Sequence, residues 1–331
     1  MAATFSDLVD AANRDIKFPV KMFGVAEGET PRFEAYHANF SVCSNKVRSV
    51  LLEKEIPFAS HVLKLVASED HTPECYRPGY VRMRLEGAPG AEMVGEFSGR
   101  SSVSSQGFDP CVVPTLADHA NEKIVVDSAN ICAYLDREAG SGPRLIPDDL
   151  AEAINAQISL IDEAPHVAVL YGPNPHGDDR PDSIAPGLVG VHDRKITHLE
   201  ALKSAADTPE LRAAYEAKIN KEESAKNFIY DRDVMLDAHA QMAQHVADLE
   251  AQLSTHDGEW AMGDAYTMAD IMWSVSMFRL KWLGLGHHWE KSDAAPRVAR
   301  YVKSAFARPA FKEAVIDWPR GTPPSPHLQA A

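Results

Sequence analysis

Cys111-Val112-Val113-Pro114-Thr115-Leu116 is followed, after a polar turn from Asp118 to Glu122, by Lys123-Ile124-Val125-Val126-Asp127-Ser128. The first run is apolar and rich in β-branched residues around a proline. The second is apolar and closes on two residues suited to cap a helix. Together they read as a strand interrupted by proline, a turn, a return strand, and a helix over Ala129–Arg137 with Ile131, Tyr134 and Leu135 on one face. Proline cannot donate to a sheet ladder and is rare in mid-sheet. On these residues alone Pro114 reads as an ordinary trans edge proline. A cis bond is the alternative, and it would leave the Val113 N–H and C=O free at an open edge.

Upstream, Phe33–His37 reads as a strand, and Lys46–Lys54 as a helix with Ser41 or Ser44 as its N-cap. Pro57 closes that helix, and Phe58–Val66 reads as a second strand, so the opening is a βαβ unit. Residues 1–31 read as a polar lead, and 67–110 as an irregular insertion with one short helix. Downstream, Gly140-Ser141-Gly142-Pro143 reads as an inter-domain linker. Beyond residue 150 strand signals nearly vanish. Helices are expected over 150–170, 191–202, 209–229 and 234–253, with a buried central one over 268–282 and two short ones ending near Trp318. Tyr171–Pro186 reads as a loop, and the charge runs of 191–233 as solvated helix faces. The expected architecture is an α/β domain over 32–140, carrying the insertion 67–110, followed by an all-helical domain over 146–320.

The 331 residues are enough for two domains. Lys and Arg number 33 against 48 Asp and Glu, a net charge of −15. That balance argues against non-specific nucleic-acid binding, which needs Lys and Arg to neutralise phosphate. No stretch approaches ~20 consecutive apolar residues, so no membrane span is expected. The start of the chain lacks the basic and apolar regions of a signal peptide. Cys43, Cys75, Cys111 and Cys132 show neither CxxC pairing nor zinc spacing. A cytoplasmic protein without a structural metal is therefore expected.

The order of these pieces resembles the glutathione S-transferase superfamily: Ser-x-Cys at the βα turn, Val113-Pro114 before a hairpin, then Asp127-Ser128 opening a helix. Gly263-Asp264-Ala265-Tyr266-Thr267-Met268-Ala269-Asp270 resembles that family's helical-domain signature, with Thr267 as N-cap and Asp270 at the third helical position. The resemblance covers residues 33–318. It implies a thioredoxin-like N-terminal domain, a cis Val113–Pro114 bond, glutathione as cofactor, and a homodimer or a heterodimer with a related subunit. Within the family, Phe40-Ser41-Val42-Cys43-Ser44-Asn45-Lys46-Val47-Arg48 looks like the segment found in glutathione-dependent reductive dehalogenases of chlorinated hydroquinones. Tyr80–Arg84, Gly107–Pro110 and Pro165–Gly172 look like the same group. Bacterial β-aryl-ether-cleaving glutathione transferases are a more distant likeness.

A protein that uses glutathione must stabilise its thiolate, and a helix N-terminus favours an anion. The resemblance implies that Ser41 donates a hydrogen bond to that thiolate. It implies that Cys43 is a second nucleophile, its acidity raised by the helix N-terminus, which attacks the sulfur of a glutathionyl-aromatic conjugate. Cys75, Cys111 and Cys132 read as structural. Val113, exposed by Pro114, would pair with the cysteinyl backbone of glutathione. Asp127 and Ser128 would hold its γ-glutamyl group, and Lys64, or more weakly His61, its glycyl carboxylate. The substrate pocket is expected between the domains, with His166 and Tyr171 as candidate contacts and Arg82 or Arg84 as candidate partners of a phenolate or carboxylate. Trp273, Phe278 and Trp282 read as core. The implied activity is reductive dehalogenation of a chlorinated hydroquinone. The alternatives are β-aryl ether cleavage, with Cys43 dispensable, and a non-catalytic glutathione-binding subunit.

Overall fold

Five short strands form one sheet in the order β1-β3-β2-β4-β5. The computed structural model describes residues 3–140, 142, 144–319 and 321–328. The expected linker falls partly on Ser141 and Pro143, which lie outside the described residues. β2 (Phe33–His37) and β3 (Phe58–Val62) are parallel, joined by α2 (Val42–Glu53). β4 (Thr115–Asp118) runs antiparallel to β2 and forms a hairpin with β5 (Lys123–Val126), which feeds α5 (Ser128–Glu138). The Val113–Pro114 bond is cis, and the strand begins only after it, not at Cys111. The expected turn residue Asp118 is the last of β4; its carboxylate instead pairs with Arg32 at 2.7 Å.

Residues 1–31 are more than a polar lead. β1 (Lys21–Phe23) adds antiparallel to β3, and α1 (Phe5–Arg14) buries Leu8, Val9 and Ala12. α1 lies against α3 (Pro78–Glu86) at the position of Gly79, where a Cβ would meet the Ala11 carbonyl oxygen at 2.4 Å. The sheet unit therefore begins well before residue 32. β3 ends at Val62, short of Val66, because the Glu74 carboxylate takes the Lys64 N–H at 2.7 Å and draws the chain away. The 67–110 segment holds three helical pieces where one was expected: a 3-10 turn at Glu74–Tyr76, α3, and α4 (Val103–Gln106).

From residue 150 the chain is helical. α6 (Ala151–Asp162) and α7 (His166–Tyr171) replace the single expected helix, because Pro165 cannot continue α6. α8 (Ala185–Leu188), α9 (Val191–Ser204), α10 (Pro209–Phe228) and α11 (Arg232–Leu253) follow. α12 (Met268–Trp282) is buried along almost its whole length and packs on α2 and α6. Its Asp270 carboxylate takes the Thr267 N–H at 2.8 Å, as the capping pattern predicts. Trp273, Phe278 and Trp282 are core. α13 (His287–Glu290), α14 (Pro296–Ala307) and α15 (Pro309–Phe311) complete the helices, and a π turn follows at Lys312–Ile316.

One buried arginine holds the β2–α2 turn against this C-terminal segment. Arg48 donates to the carbonyls of Ala38, Asn39 and Ala314 at 3.0, 2.9 and 2.9 Å. Its guanidinium also lies 4.5 Å from the Trp318 ring centre. The turn that carries Ser41 and Cys43 is thereby fixed from below.

Candidate active site

The β2–α2 turn and the cis Val113–Pro114 bond face one cavity of about 530 Å3. Ser41, Cys43, Lys64, Val113, Pro114, Asp127, Ser128, His166 and Tyr171 all line it. The walls come from both halves of the chain, with α2 and β4–α5 on one side and α7, α9, α10 and α12 on the other.

Ser41 is the N-cap of α2: its Oγ accepts the Ser44 N–H at 3.3 Å. The hydroxyl proton stays free to donate into the cavity. Ser44 is engaged elsewhere, its Oγ accepting the Ala38 N–H at 3.1 Å. The N–H groups of Val42 and Cys43 have no partner among the described residues, as expected for the first turn of a helix. Cys43 is half-buried. Two buried cations, Lys46 and Arg279, lie near it. Lys46 is ion-paired with Asp162 at the end of α6. Arg279, from α12, donates to the Phe40 carbonyl and stacks 4.0 Å from the Phe40 ring centre. Partial and full positive charges thus surround the mouth of α2, a setting that favours an anion.

The Val113 N–H and C=O have no hydrogen-bond partner among the described residues. The carbonyls beside them are occupied. Tyr80 donates to Val112 O at 2.9 Å and Arg84 to Pro114 O at 2.6 Å. Val113 therefore presents an unpaired peptide edge to the cavity. Asp127 caps α5 with one oxygen, which accepts the Ala129 and Asn130 N–H groups at 2.9 and 3.3 Å. The other oxygen has no partner among the described residues. Burial, and then the nearby Asp162, push the Asp127 carboxyl above its ordinary range. Its backbone φ of 73° lies in the left-handed region that a non-glycine residue seldom adopts. Ser128 lies at the first helical position with its hydroxyl unpaired among the described residues. An unpaired peptide edge, a carboxylate lacking a cation, and a hydroxyl at a helix N-terminus together fit glutathione: its cysteinyl amides, its ammonium and its γ-glutamyl carboxylate.

The substrate side differs from expectation in part. His166 is buried; its Nε2 lies 3.0 Å from Ser276 Oγ, and its Nδ1 is unpartnered. Burial, and then His245, hold it well below the usual histidine range, so it is neutral at physiological pH. Tyr171 OH accepts from Lys195 Nζ at 3.2 Å. Lys64 is exposed at the rim. Arg82 lies outside the cavity, ion-paired with Asp207. Arg84 lines the cavity, but Pro114 O, Asp109 O and Thr115 hold its guanidinium. His61 is not at the cavity and sits 2.7 Å from Glu34. Burial pushes Cys75 up to about 12 and holds Cys111 and Cys132 well above the usual thiol range, so all three remain thiols.

The charged helices of 191–233 are not solvated throughout. Lys195, Lys218, Lys221 and Glu222 are buried and line the cavity. A signal for this existed. Leu211, Ala214, Tyr215, Lys218, Glu222 and Ala225 fall on one helical stripe, so the charges continue an apolar face. Counting Lys64, Arg84, Arg100 and Arg279 with the three lysines, seven cationic side chains face three carboxylates, Asp109, Asp127 and Glu222. The cavity carries an excess of four positive charges in a chain of net charge −15. Such a cavity favours anionic ligands.

Two family models match the chain: "Glutathione S-transferase, N-terminal domain" over residues 40–138 and "Glutathione S-transferase, C-terminal domain" over residues 204–304. The 2,5-dichlorohydroquinone reductive dechlorinase of Sphingobium indicum is 44% identical over 301 residues, covering 90% of this chain and 86% of that one. The tetrachloro-p-hydroquinone reductive dehalogenase of Sphingobium chlorophenolicum is 25% identical over 297 residues, covering 88% and 99%. Among solved structures, the β-etherase LigF of Sphingobium sp. strain SYK-6 superposes with a TM-score of 0.56 at 17% identity, covering 86% of this chain and 98% of that one. A glutathione S-transferase III in its apo form gives 0.53 at 18% identity, covering 90% and 100%. At these identities the structural likenesses speak to the fold alone.

Proposed function

This chain belongs to the glutathione S-transferase family, and from that membership we propose that it reductively dehalogenates a chlorinated hydroquinone, with glutathione as the reductant. One observation carries the reading: Ser41 and Cys43 at the N-terminus of α2 meet the unpaired Val113 edge in a cavity with excess positive charge. The 44% identity to a hydroquinone dechlorinase supports the same substrate class.

In this reading glutathione is a co-substrate. Val113 pairs with its cysteinyl amides, Ser128 with the γ-glutamyl carboxylate and Asp127 with the ammonium; Lys64 at the rim reaches the glycyl carboxylate. Ser41 donates to the thiolate, which displaces chloride from the ring tautomer and leaves a carbon–sulfur bond. His166 and Tyr171 contact the ring. Cys43 thiolate then attacks the glutathione sulfur of that conjugate. The carbon–sulfur bond breaks, its electron pair stays on the ring carbon, and a proton from solvent completes the reduced hydroquinone. A second glutathione thiolate displaces Cys43 from the mixed disulfide. One carbon–chlorine bond is reduced by two electrons, and two glutathiones end as one disulfide.

The deciding experiment supplies the purified protein with glutathione and 2,5-dichlorohydroquinone in one vessel and a β-aryl ether ketone in another. Chloride, monochlorohydroquinone and glutathione disulfide in equal amounts are expected from the first, and no phenol from the second. Phenol without chloride would move the protein to the ether-cleaving group. Silence on both, with glutathione still bound, would leave a non-catalytic subunit.

Asp127→Asn separates binding from stability. Asparagine caps a helix as well as aspartate does, and the substitution removes a half-buried carboxylate that lacks a cation among the described residues. The variant is expected to be at least as stable as the parent, while its affinity for glutathione falls by about tenfold or more through loss of the ammonium pair. Thermal melts with and without glutathione, beside a calorimetric Kd, measure both. Unchanged affinity would remove Asp127 from the binding site.

The proposal extends to the setting. All four cysteines are unpaired, which suits a reducing cytoplasm. Among the described residues no helix is long and apolar enough to cross a membrane. Assembly as a homodimer, or with a related subunit, follows the habit of the family.

A further inference from the structure

Residues of the segments 67–110 and 172–230 meet at one wall of the cavity. Asp109 comes from the first; His192, Lys195, Lys218, Lys221 and Glu222 come from α9 and α10 of the second. Lys218 and Lys221 share one oxygen of Asp109, at 2.8 and 3.1 Å. Lys218 and Lys195 hold Glu222 at 2.9 and 3.1 Å. His192 Nδ1 lies 2.6 Å from Glu222, and its Nε2 is buried without a partner. Three ammonium groups thus answer two carboxylates, and all five side chains are less than 10% exposed. A cluster built only to hold helices together would balance its charge, because an uncompensated buried ion is costly. Lys221 is the surplus member. Among the described residues its only carboxylate contact is an oxygen already bound by Lys218, and burial, the largest influence on it, pulls its pKa below the ordinary lysine value.

We infer that this cluster is an anion subsite of the cavity, and that it receives a ring oxygen of an aromatic substrate as phenolate. The inference rests on the proposed reaction and deepens it by placing one end of the ring. Aromatic walls flank the ammonium groups and favour a ring over a peptide carboxylate. Lys195 lies 4.5 Å from the Tyr171 ring centre, Lys218 lies 6.0 Å from that of Tyr76, and Phe97 packs edge-on to His192 at 6.2 Å. The subsite selects hydroxylated rings by electrostatics.

Calorimetry on the full chain tests it with three probes: 2,4,6-trichlorophenol at a mildly alkaline pH where it is ionised, 2,4,6-trichloroanisole, and glutathione. The wild type is expected to bind the phenolate about tenfold or more tighter than the ether. Lys221→Met leaves two ammonium groups on two carboxylates, so it keeps the fold, loses that preference, and binds glutathione as before. Equal affinity of the wild type for phenolate and ether overturns the inference without any variant, and so still tests it if Lys221→Met does not fold. Weakened glutathione binding with the phenolate preference intact also overturns it, by assigning the cluster to the glycyl carboxylate. Phenolate preference in a protein that releases no chloride would sink the reaction and leave the subsite standing.

Discussion

Replacing Cys43 with alanine is expected to leave chloride release intact and to cut formation of the dechlorinated hydroquinone by about a thousandfold or more. The reason is the division of labour proposed for Ser41 and Cys43 at the start of α2. Ser41 caps the helix with its oxygen and keeps its proton for an incoming thiolate. Cys43 stands two residues on, half-buried, beside unpaired helix N–H groups and the cations Lys46 and Arg279. The first displacement needs only the thiolate that Ser41 holds. The second needs a sulfur nucleophile on the protein, because the leaving group is a ring carbon and the acceptor is a bound sulfur. A glutathionyl-hydroquinone should accumulate with the variant, one per chloride, and mass spectrometry would detect it. Cys43→Ser should behave alike, since an alcohol is not ionised at neutral pH. Intact mass of the wild type, quenched when glutathione is limiting, should show a glutathione adduct on Cys43. Monochlorohydroquinone formed by Cys43→Ala at the wild-type rate would remove Cys43 from the reaction.

Which parts of this site the sequence revealed follows from the range of the forces that build each part. The α2 cap, the β4–β5 hairpin and the Asp127 cap depend on residues two to six apart, and local chemistry announces them. Glu74 ends β3 by taking the Lys64 N–H, ten residues from its own position, and no alternation of apolar residues reports that. α1 has a short apolar stripe, Leu8, Val9 and Ala12, which gains meaning only when α3 presents Gly79 to it. The lysines of α10 are the plainest case. By type they belong in water, and by position they continue a buried stripe. Their partner Asp109 lies 109 residues from Lys218 and 112 from Lys221. Residue type alone points them to solvent; position on the stripe points them to a buried face. Pro165 was visible throughout, and the restriction it sets on the preceding turn was enough to divide α6 from α7.

The same burial that shapes the site should make the protein acid-sensitive. Several buried histidines are held below the usual range, and His37, His166 and His245 are the three in the neutral network behind the cavity. His37 Nδ1 lies 3.2 Å from an Arg48 nitrogen, which can only donate, so the ring accepts there and offers its proton from Nε2 to Ser60 at 2.7 Å. His166 and His245 share the Ser276 hydroxyl at 3.0 and 2.9 Å. Burial is the largest cause of depression in all three, followed by Arg48 for His37, His245 for His166 and Lys46 for His245, which falls to about 3. Unfolding returns each ring to about 6.5. Below that pH the unfolded chain binds protons that the folded chain refuses, so stability is full above about 6.5 and is lost as pH falls toward the folded values. Each such ring contributes a slope of up to about 1.4 kcal/mol per pH unit, so together they remove a large share of a typical folding free energy as pH falls below about 6.5. The depressed carboxyl Glu34, at about 2, adds to the loss only below about 4.5, which keeps the two windows apart. Urea midpoints at pH 7.5, 6.5 and 5.5 measure the slope. His245→Gln, whose amide can still meet Ser276, should reduce that slope by up to about 1.4 kcal/mol per pH unit. A stability that stays flat between pH 7.5 and 5.5 would mean that these rings take up protons without unfolding, and that the neutral network beneath the cavity does not hold the fold together.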